Sequence, residues 1–267
     1  MSVCFYVTGL KLNAEKWDEL LGEWTEEHLD DILDEPRFSE EKEPLCFVAG
    51  LGSIRGIVLT LGPKKGAAEL RLSALASRKD WEWAFEIMAL ALKKGGGGVE
   101  RETGEAYTAK NLTRAQAHKE AEQDFIFSAN AFQSRLGNGV SVPMGEYSVP
   151  LTPSDLPPVS EKNFDKVEKA LAKRMERYIG AFRPFVMKMD DGSRVTTWAL
   201  IPTMIQQVDL VTIDYADDME VPYPQLREIL GDRAEQVGDL LWLPELSPKK
   251  DKALLEKLAA ARVDRKA

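Results

Sequence analysis

From Trp81 to Leu92 the chain has almost no polar face. Trp81, Trp83, Ala84, Phe85, Ile87, Met88, Ala89, Leu90, Ala91 and Leu92 are interrupted only by Glu82 and Glu86. A helix turns about 100° per residue, so Trp81 and Trp83 point about 200° apart, and the helix must be covered on both sides. Its start is marked by Ser77-Arg78-Lys79-Asp80. Ser77 can accept from the Asp80 amide while the Asp80 carboxylate reaches back to Ser77, a short-armed capping box. Gly95 to Gly98 then end it, since glycine is the residue best suited to a left-handed C-cap. The stretch Ala68–Thr108 therefore reads as strand, helix, glycine stop and return strand. Its glycines sit at the negative end of the helix dipole, which excludes a phosphate cradle there, and Lys93 and Lys94 complement that end.

The flanking sequence predicts more strands and helices. Ser2 to Val7 is a strand, and Asn13 caps a helix carrying Trp17, Leu20, Leu21 and Trp24 at spacings of three and four. Gly22 and Thr25 are expected to split it, leaving a second short helix with Leu29, Ile32 and Leu33. Pro44–Ala49, Ile54–Leu61 and Glu69–Ser73 form a meander, with a further hairpin around Thr103-Gly104. Thr113 to Gln116 is a capping box for a helix with Ala117, Ala121, Phe125, Ala129, Phe132 and Leu136 on one side, stopped by Gly137-Asn138-Gly139.

Five prolines between Val140 and Ser160 mark a connection, so the expected domains are 1–139, a proline-rich link at 140–160, and 161–267. In the latter, Ser160 opens a helix bearing Phe164, Val167, Leu171, Met175 and Tyr178, with Gly180 at its end. Arg183–Met189 and Arg194–Pro202 form a hairpin across Asp190-Asp191-Gly192-Ser193. Met204–Tyr215 is one strand, Pro224–Leu230 a short helix, and Ser247-Pro248 caps a terminal helix. The fold class is α+β, with mixed or antiparallel sheets, packed helices and two subdomains.

Charge limits the function classes. The chain of 267 residues carries a net −9, yet seven basic residues against three acids from Lys249 to Ala267 leave −13 on the remainder. An acidic body disfavours nucleic acid and favours a basic protein partner. No segment has the roughly 18 apolar residues of a membrane span, and Met1–Leu10 has no signal-like pattern, so no membrane association and a cytoplasmic location are expected. Cys4 and Cys46 lie in apolar strands, where a thiol behaves as a small hydrophobe, and are too few for a disulfide framework or a cysteine-based zinc site.

The candidates for chemistry reduce mostly to structure. Gly50-Leu51-Gly52-Ser53-Ile54-Arg55-Gly56 is one residue off a dinucleotide fingerprint and is followed by a strand, Ile57–Leu61, where the fingerprint needs a helix. It reads as a tight turn between antiparallel strands. His28 and His118 are 90 residues apart, and neither has a ligand-spaced motif. Glu27 and Asp31 share a helix face but read as solvated surface. Asp209 and Asp214 bracket Leu210–Ile213 at a spacing that puts them on opposite faces of a strand. Asp214, Asp217, Asp218 and Glu220 lack the pattern of a calcium loop. The serines and threonines offer no Gly-x-Ser-x-Gly elbow and no Ser-x-x-Lys context that could be paired with a base, so nucleophilic catalysis is unsupported.

Ser73-Ala74-Leu75-Ala76-Ser77-Arg78-Lys79-Asp80-Trp81, the apolar helix to Leu92 and Gly95–Gly98-Val99-Glu100 resemble a pattern in uncharacterised bacterial cytoplasmic proteins, some of them neighbours of toxins and proposed immunity proteins. The likeness covers residues 73–108 and carries no catalytic residue. It implies an accessory or inhibitor protein.

The leading expectation is therefore a non-enzymatic binding protein, of the toxin-neutralising kind, that occupies a basic partner protein. Its binding residues are Asp214, Asp217, Asp218 and Glu220, with Glu27, Asp30 and Asp31. No cofactor, metal or catalytic residue is assigned. The alternatives are an enzyme whose site is assembled from scattered carboxylates and the two histidines, or a structural subunit of a larger assembly.

Overall fold

The structure, a computed structural model, describes residues 2–8, 14–32, 36, 38–39, 45–62, 68–95, 97–133, 135, 140–144, 147–179, 181–215 and 219–263. It is α+β and divides into two compact units, Met1–Ile179 and Gly180–Ala267.

The first unit is built on β1 (Ser2–Thr8), whose Val3, Phe5 and Val7 alternate into the core. Then follow α1 (Ala14–Glu27), β2 (Leu45–Val48), β3 (Ile57–Leu61), β4 (Ala68–Ser73), α2 (Arg78–Lys93), β5 (Gly98–Arg101), β6 (Ala106–Tyr107) and α3 (Arg114–Gln133). A hairpin, β7 (Val140–Met144) and β8 (Tyr147–Leu151), leads to α4 (Phe164–Ile179). The sheet order is β2-β3-β4-β1-β5-β6, antiparallel throughout. The meander β2-β3-β4 is thus joined by the first strand of the chain, which places Phe5 opposite both Leu70 and Arg101.

The two-sided character of α2 has a direct cause. Trp81 and Phe85 pack edge-on to Phe5, each with centroids 5.9 Å away, while Trp83 meets Trp24 of α1 at 5.0 Å. One tryptophan faces the sheet and the other faces a helix. The Ser77 cap forms as the sequence predicts: Ser77 Oγ accepts from the Asp80 amide at 3.1 Å, and the Ser77 amide donates to Asp80 Oδ2 at 2.8 Å. Gly95, at φ +109°, follows the end of the helix; Gly96 lies outside the described residues.

Some elements differ from expectation. α1 runs unbroken through Gly22, whose position is open and exposed, so the missing side chain costs no packing. Residues 28–31 are a turn, not a second helix, and Ile32 makes an isolated bridge to Gly50. Asn13, Leu33, Gly137–Gly139 and Gly180 lie outside the described residues. Within 140–151 the prolines sit in a two-stranded hairpin, which tolerates them because, among the described residues, each strand pairs along one edge only. α4, which the sequence places in the C-terminal half, packs in the first unit. Phe164 meets Phe125 at 5.4 Å, and Glu168 accepts from the Arg78 amide at 2.5 Å and from Arg78 Nε at 2.8 Å.

The second unit contains β9 (Met187–Lys188), β10 (Arg194–Trp198), β11 (Thr203–Gln206), β12 (Leu210–Ile213), β13 (Met219–Pro222), α5 (Tyr223–Leu230), β14 (Glu235–Val237), β15 (Leu240–Leu243) and α6 (Lys252–Ala260). One sheet is β13-β12-β10-β9, with β10 and β12 parallel; the other is β11-β15-β14. The expected strand Met204–Tyr215 is therefore two strands in two sheets. α6 begins after Asp251, not Ser247. Asp251 ties the turn before the helix, accepting the Ser247 amide at Oδ2 over 2.7 Å. No helix among the described residues is long and apolar enough to cross a membrane.

Candidate partner-binding surface

The glycine loop between β2 and β3 does cradle an anion, and the anion belongs to the chain. Asp80, fully buried, accepts the amides of Ile54 and Arg55 at Oδ2 (both 3.1 Å) and of Gly56 at Oδ1 (3.0 Å), besides that of Ser77. Successive backbone N–H groups converging on one carboxylate form a nest. Gly56 makes the turn possible: its φ is +64°, and a Cβ there would lie 2.5 Å from the Phe47 ring. Arg55 is itself buried and donates to Ala74 O at 2.6 Å; desolvation lowers its pKa to about 10, against the pull of Asp80.

The nest fixes the other end of the loop against the turn that follows α1. Leu51 N donates to Asp31 O at 2.8 Å, and Gly50 lies so close that an added Cβ would stand 2.2 Å from Asp31 O and 2.3 Å from the Trp83 ring. Gly52 N donates to Glu176 of α4 at 3.0 Å. Lys79 pairs with Asp31 at 2.8 Å and lies over Trp83, 4.9 Å from its centroid. Below the turn, His28 stacks at a tilt on Trp24 (4.7 Å) and meets Glu86 at 3.1 Å.

On this rigid base the surface is acidic. Residues 14–31 hold eight carboxylates against one lysine, a net −7 that is over half of the −13 on residues 1–248. Trp17, Leu20, Leu21 and Trp24 bury the inner face of α1, which leaves Glu15, Asp18, Glu19, Glu26 and Glu27 exposed. Glu23 pairs with Lys94 at 2.5 Å. Glu26, Glu27 and Asp30 have no ion-pair partner among the described residues. The last turn of α1 contains no basic residue, so these acids meet the negative end of the helix dipole. Among them Leu29 is 67% exposed and Leu51, across the turn, 43%.

The sequence-predicted residues thus separate. Glu27, Asp30 and Asp31 lie together in the first unit, with Asp31 half-buried in its pair with Lys79. Asp214 is exposed after β12, and Glu220 is half-buried within β13 opposite Thr212, both in the second unit. Asp217 and Asp218 lie outside the described residues. The sequence places Leu29 in a second short helix and Leu51 in a tight turn, and assigns neither to a surface; an apolar residue inside an acidic run is the signal that marks Leu29.

The histidines have separate carboxylates on α2. His28 faces Glu86, and His118 faces Glu82 at 3.4 Å, where Arg114 also pairs at 2.7 Å. Among the described residues no group of three or more His, Cys, Asp or Glu is arranged to hold a metal ion. Cys4 and Cys46 are buried free thiols, the latter pushed up to about 12 by desolvation. No family model, curated protein or solved structure matches the chain.

Proposed function

We propose that the protein is a non-enzymatic binding protein that occupies a basic partner protein, through the outer face of α1 and the turn that follows it. The observation that carries this reading is the net −7 on residues 14–31, with Leu29 exposed at its end. Neighbouring acids three and four residues apart each weaken a helix by about 0.2–0.5 kcal/mol, and acids at its C-terminus weaken it further. The stability of α1 comes from its buried tryptophans and leucines, so the acids are a cost that cations on a partner would relieve. Leu29 and Leu51 supply apolar anchors inside a charged rim, the usual anatomy of an interface centre. The buried acids have structural partners: Asp80 in its nest, Glu168 with Arg78, and Glu120 with Tyr107 and Arg101. Neutralising a toxin by covering its basic face is the instance implied by the resemblance of residues 73–108.

The test is native purification of the full chain from its source at low salt, beside the variants Glu26→Lys/Glu27→Lys/Asp30→Lys and Leu29→Asp. A basic protein should co-elute with the wild type, dissociate as salt rises toward about 0.5 M, and be lost from both variants. A wild type that elutes alone, or a complex that survives both variants, contradicts the proposal.

A further inference from the structure

The second unit contains a cleft of about 650 Å³ whose walls come from both of its sheets and from α5. Arg194 starts β10, Gln206 ends β11 and Gln207 follows it, Tyr223 and Arg227 lie one turn apart on α5, and Gln236 comes from β14. In a protein of net charge −9, a cleft lined by two arginines and three glutamines is out of keeping with the body around it.

The walls are fixed from behind. The Arg194 amide donates to Asp209 Oδ2 at 2.7 Å, the Asp209 amide returns to Arg194 O at 2.9 Å, and the Tyr223 amide donates to Asp209 O at 3.1 Å. One residue thus sets the start of β10 against the start of α5. Opposite, Gln236 Nε2 ties the β14–β15 turn by donating to Gly238 O (2.8 Å) and Leu240 O (3.1 Å).

The side chains facing the cleft have donors in hand. Tyr223 is 7% exposed, and its hydroxyl makes no hydrogen bond among the described residues. Burial holds this phenol above its ordinary pKa, offset by the Arg227 charge, so it stays a neutral donor. Arg194 uses one Nη on Gln206 Oε1, at 3.2 Å. The Arg227 guanidinium, whose charge acts on Tyr223, makes no hydrogen bond or salt bridge among the described residues.

We propose that this cleft binds a small phosphorylated, hydroxyl-rich molecule of the sugar phosphate class. Guanidinium groups and a phenol meet the phosphate oxygens by charge-assisted hydrogen bonds. The glutamine amides and the Asp239 carboxylate, which also lines the cleft, serve the donors and acceptors of the hydroxyls. The volume suits such a ligand, since small-molecule sites run to about 300–1,000 Å³. This site lies within the second unit and is independent of the acidic surface on α1.

The experiment is calorimetric titration of the full chain with glucose 6-phosphate, inorganic phosphate and glucose, repeated on Arg227→Gln and Tyr223→Phe. Because the Arg227 side chain makes no hydrogen bond or salt bridge among the described residues, R227Q should melt close to the wild type. Glucose 6-phosphate should bind saturably, inorganic phosphate should compete more weakly, and R227Q should lose at least about tenfold in affinity. The proposal is overturned if glucose 6-phosphate gives no saturable heat up to about 10 mM, if R227Q binds it undiminished, or if inorganic phosphate or glucose binds as tightly.

Discussion

Asp80 closes a helix cap and a loop with one carboxylate. Asp80→Ala would strand the amides of Ser77, Ile54, Arg55 and Gly56, and should cost at least about 3 kcal/mol in urea unfolding. Asp80→Asn keeps an acceptor oxygen and should cost about half as much. The local half of this arrangement is legible in the sequence, because Ser77 and Asp80 are three residues apart on a helix start. The grip on residues 54–56 is not, since no local spacing joins segments that far apart in the chain. A second prediction concerns Asp124 of α3, whose pKa desolvation raises from 3.8 to about 6, against the pull of Arg101. The fold favours its protonated form, so the stability it contributes is full below pH 3.8 and is lost as pH rises through about 6. Asp124→Asn should therefore melt like the wild type near pH 3.8 and gain about 2 kcal/mol by pH 7, as read by melts across that range.

Among the elements, α1 shows stability and binding opposed. Replacing an acid at its C-terminus by a cation removes repulsion within the helix and suits the dipole, so Glu27→Lys should raise stability by about 0.5 kcal/mol while weakening the complex. Thermal melts and partner affinity measured on one variant check both signs; a variant that loses stability as well as binding would contradict this account of α1. The core-facing stripe of this helix is plain in Trp17, Leu20, Leu21 and Trp24. The exposure of Leu29 is not, because an apolar residue three or four positions from others reads as a continued helix until the tertiary bridge of Ile32 to Gly50 turns the chain. In the same way Met204–Tyr215 has the composition of one strand, and only the change of sheet at residues 207–209 divides it.

For the whole molecule, the α+β class and the acidic body follow from periodicity and charge. The division into units does not. Proline density at 140–160 marks a hairpin and a loop, while the long-range contacts of α4, Glu168 with Arg78 and Glu176 with Gly52, hold it in the first unit. Pairings of this kind depend on which surfaces meet, and local composition does not encode that. The cleft at Arg194, Tyr223 and Arg227 was illegible for the same reason, since its walls come from four segments separated along the chain. The central claim is that the end of α1 and the loop held by Asp80 form one binding surface. Hydrogen exchange on the purified complex, compared with the free chain, tests it most directly. Amides of residues 26–32 and 50–53 should gain protection together on binding; unchanged exchange there, with protection confined to residues 180–267, would contradict the claim.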